Sequence, residues 1–186
     1  PLIQRTLKSF KGVPGRMDYA QEEPFAVVID YAHTPDSLEK VYQTLIMRAS
    51  NKKLICVLGA AGGGRDKWKR PEFGKIAAEH CDEVILTNED PYDEIPERII
   101  EDIFSGISSS LKFNPSSTES GRGRESLKID KIIDRKEAIK KAISLAQKGD
   151  TVIITGKGSE NSMAVAGGKK IPWSDRNIVI DTFESL

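Results

Sequence analysis

The stretch Val27-Val28-Ile29-Asp30-Tyr31-Ala32-His33-Thr34-Pro35-Asp36-Ser37-Leu38-Glu39 decides how this chain is read. From Phe25 to Ile29 it is apolar and largely β-branched, bounded upstream by Pro24, as a buried strand would be. Thr34 offers a hydroxyl as N-cap, and Pro35 suits a first helical position, where a missing N–H costs nothing. Leu38, Val41, Tyr42, Leu45 and Ile46 then recur at helical spacing. Asp30, Tyr31 and His33 are packed into the turn between strand and helix. Open α/β sheets bind ligands at such carboxyl ends of strands. A turn that uses Asp and His only as local hydrogen-bonders reads equally well from spacing alone.

The pattern repeats outward from there. Leu54-Ile55-Cys56-Val57-Leu58 reads as a second buried strand, running into Gly59-Ala60-Ala61-Gly62-Gly63-Gly64-Arg65-Asp66-Lys67-Trp68-Lys69-Arg70-Pro71 and a helix from Pro71 to His80. Val84-Ile85-Leu86 is a third strand, with Thr87-Asn88-Glu89-Asp90-Pro91-Tyr92-Asp93-Glu94 as its exit loop. Pro96 opens a helix with Ile99, Ile100, Ile103 and Phe104 inward. From Ser105 to Lys128 the chain is rich in Ser, Gly and Arg without hydrophobic period, and is expected to be an exposed loop. Ile129 to Ile133 is a brief apolar stretch. Asp134 is expected to cap the next helix, with Glu137 completing a capping box and Gly149 ending the helix. Thr151-Val152-Ile153-Ile154 is the clearest strand, and it exits into Thr155-Gly156-Lys157-Gly158-Ser159-Glu160. Ile178 to Phe183 fits a strand or a short helix. Upstream, Leu2, Ile3, Leu7 and Phe10 suggest a helix remnant, and Val13 to Asp18 is turn chemistry that suits a connection between domains.

Strands alternating with helices imply an α/β fold, Rossmann-like, a mostly parallel sheet with helices on both faces. Right-handed crossovers bring the Asp30, Arg65, Glu89 and Gly156 loops to one edge, where they should line one cleft. The glycine loop is neither a triphosphate-binding P-loop nor a dinucleotide fingerprint. With Arg65, Lys67, Lys69 and Arg70 attached it is a candidate clamp for carboxylate or phosphate, or else a solvated basic loop. No Ser-His-Asp, Cys-His or metal-ligand spacing is visible.

The chain has 186 residues, with 28 basic and 28 acidic side chains, and so gives no electrostatic case for nucleic acid or an anionic membrane. No apolar run is long enough to span a bilayer, and no signal peptide is read. Cys56 and Cys81 sit in or beside apolar runs and are expected to be reduced thiols of a cytosolic protein. The opening Pro-Leu-Ile, without an initiator Met, suggests a piece of something longer.

Gly15-Arg16-Met17, the Asp30 to Glu39 string, Gly64-Arg65-Asp66 with Lys69-Arg70-Pro71, Asp134-Arg135-x-x-Ala138-Ile139, Gly156-Lys157-Gly158-x-Glu160 and Ser174-Asp175-Arg176 occur in that order. Together they closely resemble the C-terminal domain of the Mur ligases, of the type that acts on UDP-N-acetylmuramoyl-L-alanyl-D-glutamate in peptidoglycan synthesis. The resemblance covers nearly the whole chain. It implies a cytoplasmic, ATP-dependent amide ligase of three domains that adds the third amino acid through an acyl-phosphate. Residues 1–22 would be the end of the central ATPase domain and a linker, and 23–186 the C-terminal domain. ATP and Mg2+ would be held largely by the central domain, whose triphosphate loop and modified lysine this sequence lacks. The expected partners are the UDP-MurNAc-dipeptide, an amino acid and the enzyme's own other domains, with no nucleic acid and no membrane.

By motif match, Arg16 would contact ATP phosphate, Asp30 would accept from the ribose hydroxyls and His33 would sit beside the nucleotide. Arg65, Glu89, Asp90, Tyr92, Gly156 and Glu160 would surround the incoming amino acid, Arg65 on its carboxylate and Glu160 on an ammonium. Two departures stand out. Glu89-Asp90-Pro91-Tyr92 replaces the Asp-Asn-Pro-Arg of the diaminopimelate-adding branch, whose Arg pairs with the distal carboxylate. Ser159 replaces the usual His. The first predicts lysine, or another amino acid without a distal carboxylate, as the preferred substrate. The alternatives are a Mur-ligase-like binding module that has lost catalysis, and a related glutamyl ligase of the folylpolyglutamate synthetase kind.

Overall fold

The structure is a computed structural model and describes residues 12–48, 52–64, 66–113 and 127–185. Its main sheet has six strands: β1 (Asp18–Gln21), β2 (Ala26–Asp30), β3 (Leu54–Leu58), β4 (Glu83–Leu86), β5 (Lys128–Lys131) and β6 (Thr151–Thr155). Their order across the sheet is β1-β2-β6-β3-β4-β5, with only β1 antiparallel to its neighbour. Helices α1 (Pro35–Arg48), α2 (Lys69–His80), α3 (Pro96–Phe113), α4 (Arg135–Leu145) and α5 (Asp175–Glu184) cover it.

Strand periodicity explains the layers. Val28, Cys56, Val84 and Ile153 point to the face packed by α1, α2 and α3, through Leu38, Tyr42, Phe73, Ala77, Ile100 and Ile103. Their neighbours Val27, Ile29, Ile55, Val57, Ile85, Val152 and Ile154 point to the other face, under α4 and α5. Helices on both faces bury β3 and β6 along their whole length, so β3 is apolar throughout and β6 is apolar between Thr151 and Thr155. The α2–α3 contact depends on two glycines. A Cβ on Gly74 would strike the Ile103 carbonyl, and one on Gly106 the Pro71 carbonyl.

The α/β expectation holds, with local corrections. The α1 start is as read: the Thr34 hydroxyl accepts from Ser37 N–H at 3.3 Å. The presumed loop after Ser105 continues α3 to Phe113, because Ile107 and Leu111 extend the buried stripe past the serines. Residues 114–126, with Gly121 to Arg124, lie outside the described residues, as does the helix expected over 1–11. Ile178 to Phe183 is helical, capped by Ser174, whose hydroxyl accepts from Asn177 N–H. Asp134 caps α4 through Lys136 and Glu137 N–H, but the Glu137 carboxylate takes Lys140 Nζ, and α4 ends at Leu145, ahead of Gly149. β1, ahead of residue 22, pairs with β2 in the same sheet. A hairpin the sequence reading passed over, β7 (Ser162–Val165) and β8 (Lys169–Pro172), turns at Gly167 and Gly168.

Cys56 and Cys81 are not reduced thiols but a disulfide, with Cα atoms 6.2 Å apart. The strand position of Cys56 and the C-terminal end of α2 fall in the same core cluster, and 25 residues of separation hide that closeness in the sequence.

Candidate active site

Connections from β2, β3 and β4 cross one face of the sheet, whereas α4 returns on the other to insert β6 between β2 and β3. This is a topological switch point, and a cleft opens at the strand exits there. A cavity of about 340 Å³ is lined by Tyr31 and His33 after β2, Ala60 to Gly62 after β3, Glu89, Asp90 and Tyr92 after β4, and Gly156 and Glu160 after β6. The convergence expected from the crossovers is therefore present.

One wall is a chain of charge. Lys157, 1% exposed, donates through Nζ to Asp90 at 2.8 Å and to Glu160 at 2.6 Å. Burial alone would lower its proton affinity, but the two carboxylates outweigh that and raise it. Glu160 accepts a second hydrogen bond from the Tyr31 hydroxyl at 2.9 Å, which, with burial, pushes the phenol up. Asp90 also accepts from Ala164 N–H at 2.7 Å, so hairpin β7–β8 braces the β4 exit. Sequence reasoning missed Lys157 as the hub of this wall, although its place between Gly156 and Gly158 was the available signal.

Glu89 is the odd member. It is 6% exposed, and burial pushes its carboxyl up to about 7, against the pull of Arg135 and Lys157; Asp90 and Asp175 push it further. Gly156, at φ 104°, packs onto this carboxylate, and its N–H donates to the Asp30 carbonyl at 3.1 Å.

At the other end, Arg16 is exposed and lays its guanidinium 4.3 Å from the Tyr31 ring centroid. His33 is exposed, with its ring 4.7 Å from that of Tyr31. Asp30 is only 5% exposed, and its carboxylate accepts from Met17 N–H at 2.7 Å and Ala32 N–H at 2.8 Å. It ties the Gly15-Arg16-Met17 turn to the end of β2.

The basic clamp expected at the glycine loop is corrected. Arg70 is buried in α2 and donates to Glu94, Asp102 and the Ala61 carbonyl. Lys67 pairs with Glu94 and Lys69 with Asp66. These cations are neutralised by local acids because α2 begins at Lys69, two residues earlier than read, which turns Arg70 inward. The Glu94 carboxyl is held down at about 2 by the Arg70 hydrogen bonds, against burial as the next largest effect, with smaller help from Gly64 N–H and Lys67. Tyr92, at φ 50°, lies beside Gly63 and is 36% exposed. Arg65 lies outside the described residues.

Residues 15–158 match the family model described as Mur ligase, glutamate ligase domain. The chain belongs to the Mur ligase family. It is 46% identical over 181 residues to the UDP-N-acetylmuramoyl-L-alanyl-D-glutamate--2,6-diaminopimelate ligase of Aquifex aeolicus (strain VF5), covering 96% of this chain and 33% of that protein. It is 40% identical over 181 residues to the ligase of the same name from Syntrophomonas wolfei, covering 97% and 34%. A solved structure of a ligase of that name superposes with a TM-score of 0.77 at 35% identity, over 97% of this chain and 34% of that one. A folylpolyglutamate synthase from Mycobacterium tuberculosis matches at TM-score 0.54 and 20% identity, over 78% of this chain and 30% of that one, a likeness of fold alone. This Mur ligase chain thus spans about a third of the length of the curated relatives it matches.

Proposed function

We propose that this chain is the C-terminal domain of an ATP-dependent ligase that joins a diamino acid to UDP-N-acetylmuramoyl-L-alanyl-D-glutamate in peptidoglycan synthesis. The observation that carries the reading is the cavity at the switch point, whose ends differ in kind. One end is lined by Tyr31 and His33, with exposed Arg16 stacked on Tyr31 beside it, and the other by Glu89, Asp90 and Glu160. The first suits a nucleotide, the second an ammonium.

Among the described residues no carboxylate pairs with the stacked Arg16 guanidinium, whose N–H groups would turn to a triphosphate. His33 would lie beside the base or sugar, and Asp30 could reach a ribose hydroxyl only with the lone pairs left by Met17 and Ala32. ATP supplies the phosphoryl group that turns the glutamyl carboxylate into an acyl-phosphate; Mg2+ and the triphosphate are assigned to the central domain. In this chain, Glu160 and Asp90 would orient the ammonium ends of the incoming amino acid, with Lys157 fixing both carboxylates. Glu89, whose carboxyl burial raises to about 7, would accept an ammonium hydrogen bond there, and a proton when it is ionised. Arg65 would take the α-carboxylate.

The relatives' names point to 2,6-diaminopimelate, while the charge of the Glu89 to Tyr92 wall points to lysine; a distal ammonium is common to both. We place the domain start near Asp18, with the central-domain linker upstream of it. The test is phosphate release by the full-length protein with ATP, the UDP-linked dipeptide and each diamino acid. Amino-acid-dependent release supports the reading, and Arg16→Ala should slow it with little change in folding. A full-length protein that binds the dipeptide but releases no phosphate with either amino acid is a binding module instead. Turnover only with a folate substrate would favour the folylpolyglutamate synthetase kind.

A further inference from the structure

Arg135 and Asp175 form an ion pair in which both side chains are 0% exposed, far from solvent and outside the cavity lining. Neither has a part in the chemistry proposed above. Their partners show what they hold. Arg135 donates to Asp175 in bidentate fashion, from Nε at 2.9 Å and from a terminal nitrogen at 2.8 Å. The same guanidinium donates to the Thr155 carbonyl at 2.8 Å and to the Asn88 carbonyl at 3.2 Å. Asp175 is steadied in turn by Trp173 Nε1–H at 2.9 Å.

Thr155 is the last residue of β6 and Asn88 follows the end of β4, and these two strands are not neighbours, since β3 lies between them. Thr155 precedes Gly156, and Asn88 precedes Glu89. One planar, always-charged fork therefore spans the two strand exits whose next residues, Gly156 and Glu89, pack against each other in the cavity wall. Apolar residues of similar volume could fill this space at little cost, or even a gain, in stability, so packing alone does not explain a buried ion pair here.

We propose that the Arg135–Asp175 pair is a positioning device for the amino-acid end of the cavity: it fixes the separation of the Glu89 and Gly156–Glu160 walls. The inference rests on the ligase reading above. The surroundings of Glu89 fit it. The charged groups that act on that carboxyl are Arg135 from α4, Asp175 from α5, Asp90 from its own loop and Lys157 from the β6 exit, and Arg135 opposes the effect of burial most strongly. Losing the guanidinium thus alters both the place and the charge of Glu89.

The experiment uses the full-length protein with two replacements, Arg135→Lys, and Arg135→Met combined with Asp175→Leu. Lysine keeps the charge but has one ammonium, which cannot span both carbonyls while chelating Asp175; the apolar pair removes the charges without leaving either one unpaired. Both are expected to raise KM for the amino acid about tenfold or more, with KM for ATP within about twofold of wild type. The acid limb of the pH profile should move to higher pH in the apolar pair. Hydrogen exchange, without substrates, should quicken together at 87–92 and 155–160 while 27–33 stays as in wild type. A folded variant of either kind with wild-type amino-acid KM and unchanged exchange at both exits overturns the proposal. If the apolar pair does not fold, Arg135→Lys decides alone. A wild-type protein without ligase activity would sink the ligase reading, and the exchange result would still decide whether the pair holds the two exits.

Discussion

The α-carbon of Gly156 rests against the carboxylate of Glu89, so that any β-carbon at 156 would collide with Glu89 Oε2. The contact joins the β4 and β6 exits at the centre of the cavity. Gly156→Ala meets two penalties: φ is 104°, a conformation alanine adopts only with strain, and Glu89 must move. The full-length protein carrying it is expected to lose kcat/KM for the amino acid by about a hundredfold, since sub-ångström errors of placement are amplified in rate. Steady-state kinetics check this, and a fall of less than threefold would contradict it.

Glu89 gives the domain a pH signature. Its folded-state carboxyl is raised to about 7 from an ordinary 4.5, so the folded state keeps a proton that the unfolded chain has released. The stabilisation is full below about pH 4.5, declines through the folded value near 7, and is flat above it. At about 1.4 kcal/mol per pH unit, the loss is on the order of 3 kcal/mol. Glu89→Gln has no proton to lose, so its Tm should fall less than that of wild type between about pH 5 and pH 8. Parallel Tm curves for the two proteins would show that Glu89 is not the group responsible.

Helix α3 crosses α2 with the Gly106 α-carbon against the Pro71 carbonyl. Backbone cannot yield there as a flexible side chain could. Gly106→Ala should therefore cost about 1–3 kcal/mol of stability, despite alanine's better helix propensity. Urea denaturation of the domain measures it, and a stabilised variant would mean that the helices separate at no cost.

How far these features were legible follows from the range of each interaction. Val27 to Ile29, Leu54 to Leu58 and Val152 to Ile154 announce themselves because burial on both faces leaves no polar positions. The residues that meet at the cavity were legible too, since strand exits in a parallel sheet share one edge. Pairing across the fold was not. Nothing local says that Arg70 turns to Glu94 and Asp102, that Cys56 meets Cys81, or that Lys157 sits between Asp90 and Glu160. Helix α3 was cut short because Ser105, Ser108, Ser109 and Ser110 mask an inward stripe that Gly106 and Ile107 carry on. Hairpin β7–β8 escaped notice because its outer strand, Lys169–Pro172, is exposed throughout and lacks an apolar period.

The last prediction concerns which diamino acid is used. Lysine ends in an ammonium; diaminopimelate ends in an ammonium beside a carboxylate, which needs a cation of its own if it is buried. Of the described cations lining the cavity, Lys69 pairs with Asp66 at 2.7 Å, and Arg70 is occupied by Glu94 and Asp102. Tyr92 lines the cavity, with Glu89 and Asp90 before it, at the position where the resemblance to the diaminopimelate-adding branch would lead one to expect an arginine. Its backbone is already in the left-handed region at φ 50°, so arginine there adds no new strain beyond that of tyrosine. Tyr92→Arg should therefore raise the ratio of kcat/KM for diaminopimelate to that for lysine by about tenfold, the worth of one good charge-assisted contact. The ratio cancels any general loss of activity, which makes it the right quantity to measure in the full-length protein. If it stays unchanged while the variant remains active, the distal end of the substrate lies elsewhere, and the cation that meets a second carboxylate must come from another part of the enzyme.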